Sequence, residues 1–153
     1  MKRKFRWVDL AILPFVSCVI FLILLGKLFH MTYEKISVVF NLWFQGAVLT
    51  LSAIVPAVFS VLLLCRGFSP LRLLLTCLLV IYALVYVWAF VKMLRHYRLP
   101  IKRAFDRCVE DLEALAKRWH TTYQMVKLWI FVVAFLFLLV LNIGLSYWVY
   151  VNL

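Results

Sequence analysis

The hydrophobic pattern along the chain consists of four long apolar runs, separated by shorter polar or charged segments. The runs cover residues 8–29, 38–65, 73–91 and 128–151. A helix needs about 20 apolar residues to cross about 30 Å of hydrocarbon, and each run is close to this length or longer. The strands of a membrane barrel would alternate apolar and polar side chains, which these runs do not do. The pattern therefore predicts an all-α integral membrane protein with four transmembrane helices.

Composition agrees with this prediction and adds a strong positive charge. The chain has 153 residues, of which 67% are hydrophobic, and a formal net charge of +11 at pH 7. A soluble domain of this size is closer to half apolar, so lipid is the solvent that accommodates the excess. The basic residues flank the apolar runs, which favours contact with anionic headgroups over nucleic-acid binding. The predicted regions are a basic N-terminal segment (1–7), a three-helix membrane region (8–91), a charged juxtamembrane helix (92–127) and a fourth span (128–151).

The charged segment 92–127 has the pattern of an amphipathic helix. From Ile101 onwards, apolar residues recur at three- and four-residue steps, and opposite charges lie four positions apart on the other face. Pro100 favours a helix start, and no glycine or proline interrupts residues 101–143. The sequence therefore predicts one helix from about residue 101 through the membrane, so that the last span is extended by a charged helix outside the bilayer.

The polar face of this segment is the candidate docking surface for a partner or for lipid. Its candidate docking residues are Lys102, Arg103, Arg107, Glu110, Asp111 and Glu113. A basic amphipathic helix commonly lies flat on anionic lipid, but the acidic residues would be repelled by such a surface. We therefore favour a stalk that receives a soluble cytoplasmic protein. The flat arrangement and packing against further copies of the chain are the alternatives.

The second apolar run carries a face of small and polar residues. Its candidate residues are Gln45, Ser52, Pro56 and Ser60, of which the last three share one side of a helix at four-residue steps. Small and polar residues let membrane helices approach closely and form hydrogen bonds with one another. We therefore predict a packing face inside a bundle, with a water-lined pore face as the alternative.

The positive-inside rule gives conflicting orientations for four crossings. With the N-terminus in the cytoplasm, six basic residues lie inside and eleven outside, the reverse of the usual bias. Three crossings with a re-entrant second run give thirteen inside and four outside. Residues 92–107 alone carry six basic residues and one acid, so this segment is expected in the cytoplasm.

Residue types that commonly perform catalysis form no recognisable constellation in this sequence. His30, His96 and His120 fall near the ends of the runs, and the four cysteines contain no C-x-x-C pair. Ser146 lies in a G-x-S pattern of intramembrane proteases, but no span supplies a buried histidine to activate it. No acid or base lies at the centre of a run, where an ion-coupled carrier would need one. We expect no catalytic, cofactor-binding or metal site, and no cofactor.

Two classes of function remain. The first is a non-enzymatic, oligomeric subunit of the bacterial inner membrane, which docks or regulates a soluble partner through its charged helix and also contacts anionic lipid. Small multi-spanning proteins of this general kind occur in envelope-sensing, phage-defence and toxin-immunity systems, an analogy of architecture only. The alternative is a homo-oligomeric pore or ion channel, including a lysis-type hole former. A membrane enzyme acting on lipid or disulfides is the weakest hypothesis, because paired acids and bases are missing.

Overall fold

The computed structural model describes residues 7–152, with side chains from Ile12 onwards; the other residues of the basic segment 1–7 lie outside the described part. Within the described residues the chain forms seven α-helices and no strand, so the predicted all-α fold is confirmed. The helices are α1 (Trp7–Leu28), α2 (Tyr33–Val38), α3 (Gln45–Arg66), α4 (Pro70–His96), α5 (Ile101–Arg118), α6 (Tyr123–Leu128) and α7 (Phe135–Asn152). Two π-helical segments, Val39–Phe44 and Trp129–Ala134, join α2 to α3 and α6 to α7.

Among the residues whose side chains the structure describes, three helices are long and apolar enough to cross a membrane. They are Tyr33–Arg66, Pro70–His96 and Tyr123–Asn152, in which the first and last include a π-helical segment. The first apolar run forms α1, whose described apolar part, Ile12–Leu28, is shorter than these three. The structure therefore has three apolar helices of membrane length among the described residues, whereas the apolar runs of the sequence predict four spans.

The predicted continuous helix from residue 101 to the end is wrong, because the chain turns between Arg118 and Tyr123. His120 has a φ of 50°, in the left-handed region. The backbone N–H groups of His120 and Thr121 donate to the carbonyls of Lys117 and Ala116, at 3.3 and 3.0 Å. This pair of bonds is the Schellman arrangement, which ends a helix by satisfying its last carbonyls. Histidine enters this conformation more readily than most residues, so no glycine is needed.

The same turn occurs a second time, 90 residues earlier in the chain. His30 has a φ of 53°, and the N–H groups of His30 and Met31 donate to the carbonyls of Lys27 and Gly26 at 3.3 and 2.7 Å. The two turns have related sequences, KLFHMTY at 27–33 and KRWHTTY at 117–123. Each is followed, at the same distance, by a π-helical segment.

The similarity between the two copies extends well beyond the turn. Counterparts in α1 and α5 are identical at Phe15 and Phe105, Cys18 and Cys108, Val19 and Val109, and Leu22 and Leu112. From residue 15 to residue 30, each side chain is as buried, half-buried or exposed as its counterpart 90 residues later. The helix–turn–helix of α1, α2 and α3 is therefore repeated in α5, α6 and α7, with α4 between the copies.

The chain divides into two compact units. Unit 1 contains Met1–Trp43 and Tyr97–Ala134, and unit 2 contains Phe44–His96 and Phe135–Leu153. In unit 1, α1 and α5 each pack against both α2 and α6, so the two copies pack together reciprocally. The core of this unit includes Leu112, Ala116 and Val126, which are buried from solvent.

Unit 2 is formed by α3, α4 and α7. The hydroxyl of Thr76 on α4 lies 3.5 Å from the carbonyl of Ser60 near the end of α3, while Gly46 near its start lies beside Phe90, so α3 and α4 are antiparallel. Tyr82 on α4 bonds Asn142 on α7, and Leu79, earlier on α4, clusters with Val149, later on α7. Because α7 is also antiparallel to α4, α3 and α7 run in the same direction.

Gly46 is required by the close approach of α3 to α4. A Cβ at this position would lie 2.7 Å from Phe90 Cε2 and 3.0 Å from Met93 Cε, whereas a Cβ at Gly144 would meet nothing within 4 Å. We expect Gly46→Ala to lower the free energy of unfolding by about 1–2 kcal/mol, because overpacking displaces neighbouring side chains. Gly144→Ala is the matched control and should be neutral or slightly stabilising. Equilibrium unfolding in detergent micelles measures both; equal stability of the two variants would contradict the close packing.

Candidate functional site

Unit 1 contains a buried lysine, Lys127, near the start of the last membrane-length helix. Its side chain is 8% exposed, and its Nζ donates a hydrogen bond to the hydroxyl of Tyr33 at 3.1 Å. The ammonium also lies 5.6 Å from the centre of the Tyr33 ring and 5.8 Å from that of Phe15. Aromatic faces attract cations, and the attraction grows when water is excluded. The lysine is therefore held by a phenol oxygen and two aromatic rings.

Among the described side chains, no carboxylate contacts the Lys127 ammonium. Burying a charge without an opposite charge is costly, since the group loses its hydration. An ionisable residue inside a membrane helix is by default a candidate functional residue. Lys127, with the residues around it, is therefore the first candidate site of this protein.

A small cavity lies beside this lysine within unit 1. Its walls comprise Ser37, Val38, Asn41, Leu42, Phe105, Cys108, Val109, Leu112, Tyr123, Lys127 and Phe131. About 10 Å³ is open to the centres of water molecules, which is room for about one water. Ser37 is buried, and its hydroxyl accepts a hydrogen bond from the side-chain amide of Asn41 at 3.2 Å. The walls of the cavity are thus mainly apolar with a few polar groups, and its space is too small for an organic cofactor of ordinary size.

Cys108 lines the cavity as a neutral thiol. Burial raises its pKa to about 11, and the nearby Lys127 ammonium opposes this increase only in part. The reactive form of cysteine is the thiolate, so a raised pKa makes Cys108 a poor nucleophile at neutral pH. The residue is also half-buried, which makes it a poor reporter of which side of a membrane α5 occupies.

We expect Cys108 to react with a maleimide at pH 8 about tenfold more slowly than a cysteine introduced at the exposed position 114. The higher pKa removes most of the thiolate, and the greater nucleophilicity of a more basic thiolate recovers only part of the rate. The rate at Cys108 should keep rising towards pH 11, while the rate at position 114 levels off near pH 9. Stopped-flow labelling across pH 7–11 measures both rates; identical pH profiles would show that Cys108 is not shielded.

All six candidate docking residues lie on the exposed face of α5. Lys102, Arg103, Arg107, Glu110, Asp111 and Glu113 are each solvent-exposed, and together we refer to them as the outer face of α5. The carboxylate of Asp111 accepts a hydrogen bond from the Tyr97 hydroxyl at 2.9 Å. Burial raises the pKa of Tyr97 above its usual value, and this hydrogen bond acts in the same direction. The contact ties the segment before α5 to the middle of the outer face.

The matching face of α1 has the opposite chemistry. The counterparts of the six residues are Ile12, Leu13, Ser17, Ile20, Phe21 and Ile23, all of them exposed, and together we refer to them as the outer face of α1. Leu13 alone is 78% exposed. Two helices with the same inner contacts therefore present one apolar and one charged surface. An exposed apolar surface of this kind indicates contact with lipid or with another protein.

The small and polar face predicted in the second run is buried within unit 2. Gln45, Pro56 and Ser60 are buried, and Ser60 Oγ donates to the carbonyl of Ala57 at 2.8 Å. The hydroxyl of Ser52 accepts a hydrogen bond from Asn142 Nδ2 on α7, also at 2.8 Å. In this structure the face packs against the neighbouring helices of unit 2.

Ser146, His30 and His120, which the sequence analysis considered for catalysis, take part in helix hydrogen bonding or in the turns that follow helices. Ser146 Oγ donates to the carbonyl of Asn142 at 2.8 Å, a bond to its own helix. His30 and His120 end α1 and α5 at the two turns. Within the described residues, no group of three or more histidine, cysteine, aspartate or glutamate side chains is placed to hold a metal ion.

The Lys127 site was missed by reasoning from the sequence, which placed Lys127 at the edge of the charged segment. Its partner Tyr33 lies 94 residues away. The available signal was the repeat, since Tyr33 and Tyr123 follow the two related turns at the same distance. Superposing the copies predicts that α2 and α6 are equivalent, and Lys127 then stands out as a charge where the first copy has Ser37.

Comparison with known proteins adds no relative. No family model, curated protein or solved structure matches this chain. The fold and the site therefore define the class by themselves, namely a small all-helical protein with membrane-length helices and an internal repeat. Any function has to be argued from the residues described above.

Proposed function

We propose that this protein is a non-enzymatic membrane subunit that crosses the bilayer three times and docks a soluble partner through the outer face of α5. The observation that supports this most strongly is the contrast between the two copies of the repeat. The outer faces of α1 and α5 lie on equivalent scaffolds, yet one is apolar and the other carries six charges. The first is suited to lipid and the second to water or a polar partner.

The distribution of basic residues supports three crossings, made by Tyr33–Arg66, Pro70–His96 and Tyr123–Asn152. If α1 does not cross, fifteen of the 17 basic residues flank these helices on one side, and Arg66 and Arg72 lie on the other. Basic residues collect on the cytoplasmic side, so this bias is strong and consistent. Four crossings with the N-terminus in the cytoplasm would instead place six basic residues inside and eleven outside, the reverse of the usual bias. In this proposal the charged segment is cytoplasmic and the membrane is a bacterial inner membrane.

The mixture of charges on α5 favours a protein over a lipid surface as its partner. The outer face has three basic and three acidic residues, and the acidic ones would be repelled by anionic headgroups. Surfaces that carry both signs select partners by complementary charge, which mainly changes association rate and specificity. Binding should therefore weaken as ionic strength rises. Self-association through the exposed apolar residues of the spans is a further part of the proposal.

Photo-crosslinking in intact cells tests the docking function. A photoreactive residue replaces Asp106 on α5 in one variant and its counterpart Val16 on α1 in another. We expect a discrete protein adduct at position 106 and lipid adducts only at position 16. The double reversal Arg103→Glu with Arg107→Glu should reduce the adduct at least about tenfold, since rim charges control association.

The control for charge is the reversal Lys117→Glu with Arg118→Glu, which makes the same change at the end of α5 beyond the outer face. It should leave the adduct at position 106 in place. The docking proposal fails if the adduct survives reversal at Arg103 and Arg107, or if position 16 yields the same protein adduct. Equal amounts of each variant in the membrane fraction exclude loss of insertion as the cause.

A further inference from the structure

One side of α4 is exposed along most of the helix and changes from apolar to basic towards its end. The side chains on it recur at three- and four-residue steps and are all exposed. Together we refer to them as the outer ridge of α4, namely Leu74, Cys77, Ile81, Leu84, Trp88, Lys92 and Arg95. The order of apolar residues, then an aromatic ring, then two cations matches the order of acyl chains, interface and headgroups in one leaflet of a bilayer.

The spacing of the charges on α4 matches the thickness of a bilayer. Arg72 and Lys92 lie 20 positions apart, and at about 1.5 Å per residue this is about 30 Å, the thickness of the hydrocarbon. Trp88 lies one turn inside Lys92, at the level where tryptophan collects at membrane interfaces. When α4 crosses the bilayer as in the proposed function, on which this inference rests, Lys92 and Arg95 therefore reach the headgroups of one leaflet.

The two cations at this end of α4 are available to an anion. The Nζ of Lys92 lies 4.9 Å from the centre of the Trp88 ring, which orients the ammonium without neutralising it. The sequence of α4 contains no aspartate or glutamate, so the helix itself supplies no carboxylate to Lys92 or Arg95. At the other end, Arg72 is half-buried and its Nη1 donates to the carbonyl of Gly67 at 3.3 Å. The two ends of α4 thus differ in what they offer a lipid.

We propose that the outer ridge of α4 binds one anionic phospholipid, with its phosphate between Lys92 and Arg95 and an acyl chain along Leu84 and Ile81. A guanidinium can donate two parallel hydrogen bonds to a phosphate, and the ammonium adds a second positive charge. A zwitterionic lipid would bring an ammonium group of its own close to these cations, which favours an anionic headgroup. In the proposed orientation this leaflet is the cytoplasmic one, whose anionic lipids attract basic residues next to membrane helices.

Photo-crosslinking of the purified full chain in liposomes of equal parts phosphatidylglycerol and phosphatidylcholine tests the site. A photoreactive residue replaces Val91, the exposed neighbour of Lys92, and mass spectrometry measures the adducts of each lipid. We expect phosphatidylglycerol adducts to exceed phosphatidylcholine adducts at least about tenfold, since each basic residue near an anionic surface contributes a factor of about five. Lys92→Gln with Arg95→Gln should bring this ratio close to one.

The matched control is Lys117→Gln with Arg118→Gln, which removes the same charge from the last turn of α5 and should leave the ratio unchanged. The exchange Lys92→Arg with Arg95→Lys keeps both charges and should also keep the preference. The proposal is overturned by a native ratio near one, by a preference that survives the change of Lys92 and Arg95 to glutamine, or by crosslinking to a second copy of the chain in place of lipid.

A photoreactive residue at Ile81, in the middle of the outer ridge, tests the crossing of α4 separately. Lipid adducts at position 81 together with a native ratio near one at position 91 would reject the lipid site and leave the crossing intact. A lack of lipid adducts at both positions would reject the crossing of α4, and with it both the three-crossing arrangement and the lipid site.

Discussion

A cysteine at position 114 reacts with a membrane-impermeant maleimide at least about 100-fold faster than a cysteine at position 24, because burial in hydrocarbon suppresses the thiolate. Ala114 and Leu24 are counterparts in the two copies and are both exposed in the isolated chain. The proposed arrangement puts position 24 in lipid and position 114 in water. The measurement is made in membranes, with the four native cysteines replaced by alanine.

Labelling from each side of the membrane then tests the orientation. In intact cells neither position should react with the impermeant reagent, and opening the cells should expose position 114 only. Detergent denaturation of the same samples should equalise the two rates, which controls for differences in expression. Fast labelling at position 24 in membranes would mean that the outer face of α1 is exposed to water, which contradicts its proposed contact with lipid. Labelling of position 114 in intact cells would place the charged face outside and reject a cytoplasmic partner.

Asn142→Leu should cause the largest loss of stability among single substitutions in unit 2, about 2 kcal/mol. Asn142 is 0% exposed, accepts a hydrogen bond from the Tyr82 hydroxyl at 2.6 Å and donates to Ser52 Oγ at 2.8 Å. The Nδ2 of Asn142 also lies 3.5 Å from the carbonyl oxygen of Leu49. Hydrogen bonds between membrane helices contribute about 0.6 kcal/mol each on average, and leucine would remove all of those made by Asn142, although Tyr82 and Ser52 keep their bonds to Tyr86 and Leu49. Reversible unfolding in mixed micelles measures the loss.

Asn152→Leu is the matched control, because Asn152 is exposed and its side chain bonds only the carbonyl of Trp148 in its own helix. It should change stability by less than about 0.5 kcal/mol. Combining Asn142→Leu with Ser52→Ala should give less than the sum of the two losses, since the two residues share one hydrogen bond. Full additivity, or native stability in Asn142→Leu, would show that the contact between α3 and α7 does not hold unit 2 together.

The helices themselves were predictable, because apolar runs of membrane length and an amphipathic period are local properties of the sequence. The turn at His120 was not predicted, for a physical reason. The apolar stripe continues from Leu115 through Trp119 to Tyr123, so the pattern on the two sides of the turn resembles that of one helix. Thr122, whose hydroxyl accepts from the N–H of Met125 at 3.4 Å, was a usable cap signal.

The candidate site was predictable only in part. The exposure of the outer face of α5 follows from its charges, and the structure places these residues on one side of the helix as expected. The sequence of α1 does not distinguish its inward-facing side from its outward-facing side, because most residues from Ile12 to Leu28 are apolar. Which residues face inwards is decided by packing against α2 and α6. The pairing of Lys127 with Tyr33 depends on the same long-range packing.

The position of α4 between the two copies has a consequence for how such a chain is assembled. Each copy contributes one membrane-length helix, so two copies joined directly would insert head to tail, as in transporters with inverted repeats. In the proposed three-crossing arrangement, α4 makes the return crossing that lets α3 and α7 cross the membrane in the same direction. Removing Pro70–His96 would then reverse the orientation of the second copy and place the charges of α5 on the opposite side of the membrane.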